Sequence, residues 1–86
     1  MNQVSNKTVV ITGASRGIGE AAARHFARAG AQVVLAARSE ARINEIAQEI
    51  TDAGGTATAV RCDVSVPDDV VHLINTAIET SGSVVF

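Results

Sequence analysis

Aromatic residues are almost absent: Phe26 and Phe86 are the only ones in 86 residues. Small residues take their place, with alanine abundant, and such a core lets helices approach a sheet closely. There is one cysteine, Cys62, so no disulfide can form within the chain. That fits a reducing compartment, and a cytoplasmic location is the expectation. No apolar run reaches the roughly 18 residues that a membrane-spanning helix needs. The opening residues, MNQVSNK, lack the basic-then-apolar order of a signal peptide. Basic charge is sparse too. Seven Lys and Arg lie scattered singly against nine acids, for a net charge of −2, which is no footprint for nucleic acid. At 47% hydrophobic and 19% charged residues, the chain is not a disordered or acidic-tail sequence. Its length allows one small domain, marginal in the surface it can bury.

What is present alternates in type. Residues 7–12 (KTVVIT) form a short β-branched run ending at Gly13, the mark of a buried strand. Residues 18–29 carry apolar or small side chains at 18, 21, 22, 25/26 and 29, a helical period, and Gly30 stops them. Residues 32–37 (QVVLAA) read as a second buried strand. Ser39 is placed to cap the next helix, whose apolar stripe is Ile43, Ile46, Ala47 and Ile50, ended by Gly54 and Gly55. Residues 56–62 (TATAVRC) alternate as a third strand. Ser65 with Asp68 has capping-box spacing, and Pro67 falls in the first turn of a third helix. Its stripe reads Val70, Val71, Ile74, Ala77 and Ile78, closed by Ser81 and Gly82. Val84, Val85 and Phe86 begin a fourth strand.

Helical crossovers of this length require parallel strands joined with a right hand. The predicted fold is therefore α/β: a partial Rossmann-type, doubly wound parallel sheet, β-α-β-α-β-α with a truncated fourth strand. Residues 1–6 are expected to be a flexible tail, and 7–86 an incomplete nucleotide-binding domain.

The most informative stretch is residues 12–19, TGASRGIG, between the first strand and the first helix. Glycines there allow a sharp turn, a close approach of backbone to a pyrophosphate, and tight packing of helix on strand. The helix N-terminus offers unpaired N–H groups and the positive end of its dipole. A glycine triplet alone is a weak signal; the strand–loop–helix context strengthens it. A P-loop is excluded, because no Lys-Ser/Thr follows Gly17 or Gly19. A ligand-free tight turn does not account for three glycines accompanied by Ser15 and Arg16.

TGASRGIG resembles the TGxxxGxG cofactor loop of the classical short-chain dehydrogenases/reductases. The likeness continues through Ala37-Arg38-Ser39 and Cys62-Asp63-Val64-Ser65, covering residues 6–82. The pattern is similar to 3-oxoacyl-carrier-protein reductase and glucose-dehydrogenase-like members alike. The resemblance implies that Gly13, Ser15, Arg16, Gly17, Ile18 and Gly19 surround the adenosine phosphates and the pyrophosphate of a nicotinamide dinucleotide. It also implies that Arg38 and Ser39 lie at the adenosine ribose, that Asp63 accepts a hydrogen bond from the adenine amino group, and that the backbone of Val64 reads the ring edge. Asp63 has a second reading, as a plain turn residue between strand and helix.

The choice of cofactor is written at the end of the second strand. An NAD enzyme carries an acid there, about 20 residues past the loop, to bind the ribose 2′-OH. This chain has Ala37, then Arg38. Without the acid, nothing repels a 2′-phosphate, and Arg38 supplies a planar charged fork suited to it. In the resembled family a basic residue at the position of Arg16 or of Arg38 goes with NADP(H), the cofactor expected here. Arg38 as a solvated loop charge is the competing reading.

His25, His72 and Cys62 have no partners at metal spacing, so no metal site is expected. The resembled family draws its chemistry from a Ser and a Tyr-x-x-x-Lys motif. This chain contains no tyrosine, and its one lysine is Lys7. No catalytic residue is assigned, and the chain by itself is expected to be inactive. Its parent reaction is hydride transfer between a carbonyl or alcohol and nicotinamide. The alternatives are a stand-alone nucleotide-binding or self-pairing module, or a truncated remnant. With the fourth strand cut short, Val9, Val10 and Ile11 are expected to form an unpaired edge that seeks a second copy or a missing C-terminal part.

Overall fold

The computed structural model describes residues 7–81 and 84–85. The expected tail, Gly82, Ser83 and Phe86 lie outside the described residues. The elements follow in the order β1 (Thr8–Thr12), α1 (Gly17–Arg28), β2 (Gln32–Ala37), α2 (Glu40–Asp52), β3 (Thr56–Arg61), α3 (Pro67–Ser81) and β4 (Val84–Val85). All strand pairs are parallel, and the sheet order is β3-β2-β1-β4.

The winding follows from one rule. From β1 to β2 to β3 the chain steps in one direction, and from β3 to β4 it steps back across the sheet. A right-handed crossover that reverses direction must change face. Accordingly α1 and α2 pack on one face and α3 on the other. The strands serve both faces by alternation. Val9, Val33, Leu35 and Ala37 meet Ala23, Ala27, Ile43, Ile46 and Ile50. Val10, Val34, Ala36, Val60 and Cys62 meet Leu73 and Ala77. In register, Val9 pairs with Val33 and Val10 with Val34. Central strands buried on both faces read as unbroken apolar runs, which is why VVI and VVLAA carry no polar break.

The helix ends are set by backbone hydrogen bonds. Ala31 N–H donates to Phe26 O at 3.0 Å and Gly30 N–H to Ala27 O at 3.1 Å; Gly55 N–H donates to Ile50 O at 2.9 Å and Gly54 N–H to Thr51 O at 3.0 Å. Both are Schellman endings, placed where the sequence has glycine.

The structure corrects four expectations. The buried face of α1 is Ala23 and Ala27, not the stripe through 18, 21 and 22, and Ile18 is 90% exposed. Gly19 permits this rotation: a Cβ there would run into the Gly13 carbonyl, 2.7 Å from its carbon, and without one the 19–23–27 side can face inward. On α3 the inward residues are Leu73 and Ala77, while Val71 and Ile78 are exposed; they lie on the flank turned away from Leu73. The two predicted serine caps are not formed. Ser39 makes no side-chain cap bond, and the Ser65 hydroxyl donates to Asp63 Oδ1 at 2.6 Å. Finally, the outer edge of β1 is not wholly bare, because Thr8 pairs with Val84 and Val9 with Val85. Val10 and Ile11 have no β4 partner among the described residues.

Candidate functional site

The carboxyl ends of β1, β2 and β3 open into one cleft of about 710 Å³. Open α/β sheets bind ligands at this end, where the strand order reverses. The β1–α1 loop contributes Gly13, Ser15 and Arg16 to its wall, and the end of β2 contributes Ala36, Ala37, Arg38 and Ser39. Cys62, Asp63 and Val64 close it after β3. Three segments far apart in sequence and singled out for one ligand thus converge on one space. Ala14 N–H donates to Ala36 O at 3.2 Å and Cys62 N–H to Ala37 O at 3.0 Å, which ties the loop and the third wall to β2. Gly17, Ile18 and Gly19 do not line the cleft; they form the first turn of α1, directly after Ser15 and Arg16, which do.

The glycine loop has two separate physical demands. Gly13 and Gly17 sit at φ +65° and +62°, with no atom within 4 Å of where a Cβ would stand. They are needed for backbone shape, and they leave the surface open to a close-lying ligand. Gly19 is needed for contact, against the Gly13 carbonyl. Arg16 precedes α1 with extended backbone and no side-chain cap bond, so no side chain covers the first N–H groups of the helix from that position.

The electrostatics are uneven. Arg16 and Arg38 are exposed and make no ion pair among the described residues. The only acid among the described residues on the wall is Asp63. Its Oδ1 accepts from Ser65 Oγ at 2.6 Å and from Ser65 N–H at 2.9 Å. Those bonds, the hydroxyl first, hold its carboxyl below the usual carboxylate range, and Arg38 adds to the effect. One oxygen of Asp63 thus makes the turn, and the residue lines the cleft. Its own N–H donates to Asp69 Oδ2 at 3.0 Å, fixing it to the first turn of α3. Cys62 is 2% exposed, and burial pushes its thiol up, with Asp69 and Asp63 adding to the rise. It behaves as a small core residue, not a nucleophile. No cluster of three or more metal-ligating side chains exists among the described residues.

Sequence reasoning missed Arg42, which reaches the wall from the first turn of α2. The available signal was its position three residues after Ser39, one helical turn along the same face.

The family model for short chain dehydrogenases matches residues 7–85. The chain belongs to the short-chain dehydrogenase family. It is 48% identical over 83 residues to L-rhamnose 1-dehydrogenase (NAD(P)(+)) of Azotobacter vinelandii, covering 92% of this chain and 32% of that protein. Among solved structures, the hydroxysteroid dehydrogenase from Escherichia coli superposes with a TM-score of 0.90 at 38% identity, covering 94% of this chain and 34% of that one. A metagenomic short-chain oxidoreductase in complex with NADP superposes with a TM-score of 0.85 at 39% identity, covering 92% and 36%. This short-chain dehydrogenase sequence spans about a third of the length of those relatives. The family is one of dehydrogenases that use a nicotinamide dinucleotide, and the open loop backbone at Gly13 and Gly17 leaves room for a ligand lying against it. No helix among the described residues is long and apolar enough to cross a membrane.

Proposed function

We propose that the cleft binds NADP(H) and that the protein transfers a hydride between nicotinamide and a carbonyl or alcohol. One observation carries the cofactor choice. The end of β2 offers Ala37 in place of an acid, and Arg38 and Arg16 stand at the same cleft with no ion-pair partner among the described residues. A dianionic 2′-phosphate fits that charge distribution, and a bare ribose hydroxyl leaves it unused.

The remaining roles follow the walls. The open backbone at Gly13 and Gly17 and the first turn of α1, at Ile18 and Gly19, receive the pyrophosphate; Ser15 offers a hydroxyl beside it, and Ser39 offers one at the adenosine ribose. Asp63 meets the adenine amino group, and Val64 the ring edge. Bound NADP(H) supplies or accepts the hydride. This chain's residues bind and orient the adenosine half, and the proton donor and the nicotinamide pocket are not among them. The 86 residues alone therefore turn over no carbonyl substrate. A cytoplasmic location goes with the single unpaired Cys62.

A second reading has its own observation. Beyond Val9 the outer edge of β1 has no strand neighbour among the described residues, so a second copy could pair there in a self-assembling module.

Calorimetric titration of the full chain with 2′-phospho-ADP and with ADP tests the cofactor reading. Charged hydrogen bonds contribute about 1.5–3 kcal/mol, so the 2′-phosphate should tighten binding about 10- to 100-fold. Arg38→Ala should remove most of the difference. Equal affinities for the two ligands overturn the NADP(H) assignment.

A further inference from the structure

We propose that Arg42 is a third recognition arm of the cleft, held by Glu20 when no ligand is bound and exchanged onto the 2′-phosphate when one is. This rests on the reading of the cleft as an NADP(H) site and adds a specificity residue to it.

Arg42 stands on the cleft wall beside Arg38 and Ser39, with its side chain 38% exposed. Unlike Arg16 and Arg38, it has a partner. Its Nη2 donates to Glu20 Oε1 at 3.0 Å and Oε2 at 3.1 Å. Its Nη1 lies 3.7 Å from Glu45 Oε2, too far for a hydrogen bond. Of the five donors on the guanidinium, only those on Nη2 are engaged by Glu20.

Glu20 does not depend on Arg42. Arg24, one turn along α1, donates to Glu20 Oε2 from Nε at 3.1 Å and from Nη2 at 2.9 Å. That pairing is the largest cause holding the Glu20 carboxyl below its ordinary range. Arg24 is anchored in turn by Glu49, 2.6 Å from its Nη2. If Arg42 leaves, Oε2 keeps both donors of Arg24 and the carboxylate keeps a cation, while Oε1 gives up the donor it had from Arg42. The exchange swaps one charged hydrogen-bonded pair for another, and a phosphate carries more charge than the carboxylate it replaces. Glu20 and the 2′-phosphate therefore compete for one guanidinium.

Competition predicts effects of opposite sign. A simple brace between α1 and α2 does not, since loosening it weakens both ligands together. The readout is the ratio of affinities for 2′-phospho-ADP and ADP, measured by calorimetry on the full chain. Arg42→Ala should lower the ratio by roughly threefold to tenfold. Glu20→Gln should raise it by a similar factor, and that rise should vanish in the Glu20→Gln/Arg42→Ala double variant. Should Arg42→Ala lose its native circular dichroism, Arg42→Lys replaces it: the charge and stem remain, the fork is lost, and the ratio should fall part of the way. An unchanged ratio in both Arg42 variants, with the wild type still preferring 2′-phospho-ADP, overturns the role of Arg42 and leaves the cofactor reading standing. A wild type with no preference overturns both. A ratio that falls in Glu20→Gln overturns the exchange.

Discussion

Replacing Gly19 with alanine separates the two ways a glycine can matter in the β1–α1 loop. Gly19 lies in the first turn of α1, where alanine is the better helix former by about 0.8–1 kcal/mol. Propensity alone therefore predicts a stabilised protein. The surroundings predict the reverse. The new Cβ would run into the Gly13 carbonyl oxygen, stand 2.7 Å from its carbon and 3.2 Å from the Ala14 Cα. All three are backbone atoms, so no side chain can rotate aside. Overpacking of this kind costs about 1–3 kcal/mol, and the collision falls on the turn that bounds the cleft. With only backbone to give way, the cost falls at the upper end, about 2–3 kcal/mol, and after the propensity gain the net loss is about 1–2 kcal/mol. In a domain of this size each kcal/mol lowers the melting temperature by about 4–8 °C. Urea unfolding followed by circular dichroism at 222 nm measures the change. Gly19→Ser, one atom larger, should be no better tolerated. Gly17→Ala is the comparison: nothing lies within 4 Å of its Cβ position, so its penalty is the left-handed backbone alone, roughly 1–2 kcal/mol. A Gly19→Ala protein as stable as the wild type, or more so, refutes the packing of α1 against the Gly13 carbonyl.

Ile46→Ala, at a side chain with no exposed surface, should destabilise the α2 face by about 2–5 kcal/mol in the same assay. On α3, Leu73→Ala should cost a comparable amount, whereas Val71→Ala, at a side chain more than half exposed, should change stability by no more than about 0.5 kcal/mol; equal effects would mean that α3 is rotated. The folded Asp63 carboxyl is depressed chiefly by Ser65, so its contribution is full above the unfolded value near ~3.9 and is lost as pH falls through the lower folded value. Ser65→Ala should make urea stability less sensitive to acid in that range, and NMR titration should show the Asp63 carboxyl rising. The buried Cys62 thiol, raised by desolvation, should react slowly with a disulfide reagent at neutral pH and rapidly in urea.

The element order was legible because each element rests on a local signal with a single reading. Runs such as VVLAA are buried on both faces and glycines at 30 and 54 end helices, whereas crossovers fix the parallel sense and the hand of the connections but not the order of the strands. The glycine loop was legible from its spacing and context, and the convergence of Gly13, Ser15 and Arg16 with Arg38, Ser39, Asp63 and Val64 followed from the family resemblance. Helix faces were harder. In an alanine-rich helix the apolar stripe is broad, and the inward face includes the close approach of Gly19 to the Gly13 carbonyl, a loop contact that periodicity does not contain. On α3, Val71 and Ile78 are as apolar as Leu73, and the even-numbered strand face selected Leu73. The serine caps failed differently: α3 begins at Pro67, so Ser65 stands one residue outside the cap position, and Ser39 stands at the cap position of α2 without making the bond. Arg42 was hidden because its place on the cleft wall, paired with Glu20, depends on α1 lying beside α2.

The central claim is that the cleft at the carboxyl ends of β1, β2 and β3 is where the nucleotide sits. Amide chemical shifts of the isotopically labelled full chain, followed during titration with 2′-phospho-ADP, test it most directly. The account predicts that the shifted amides cluster at Gly13, Ser15, Arg16, Gly17, Gly19, Arg38, Asp63 and Val64. It also predicts that Ala53, Gly54 and Gly55, on the separate cleft of about 310 Å³ near the ends of α1 and α2, stay still. Shifts centred on residues 53–55, or none at saturating ligand, would contradict it.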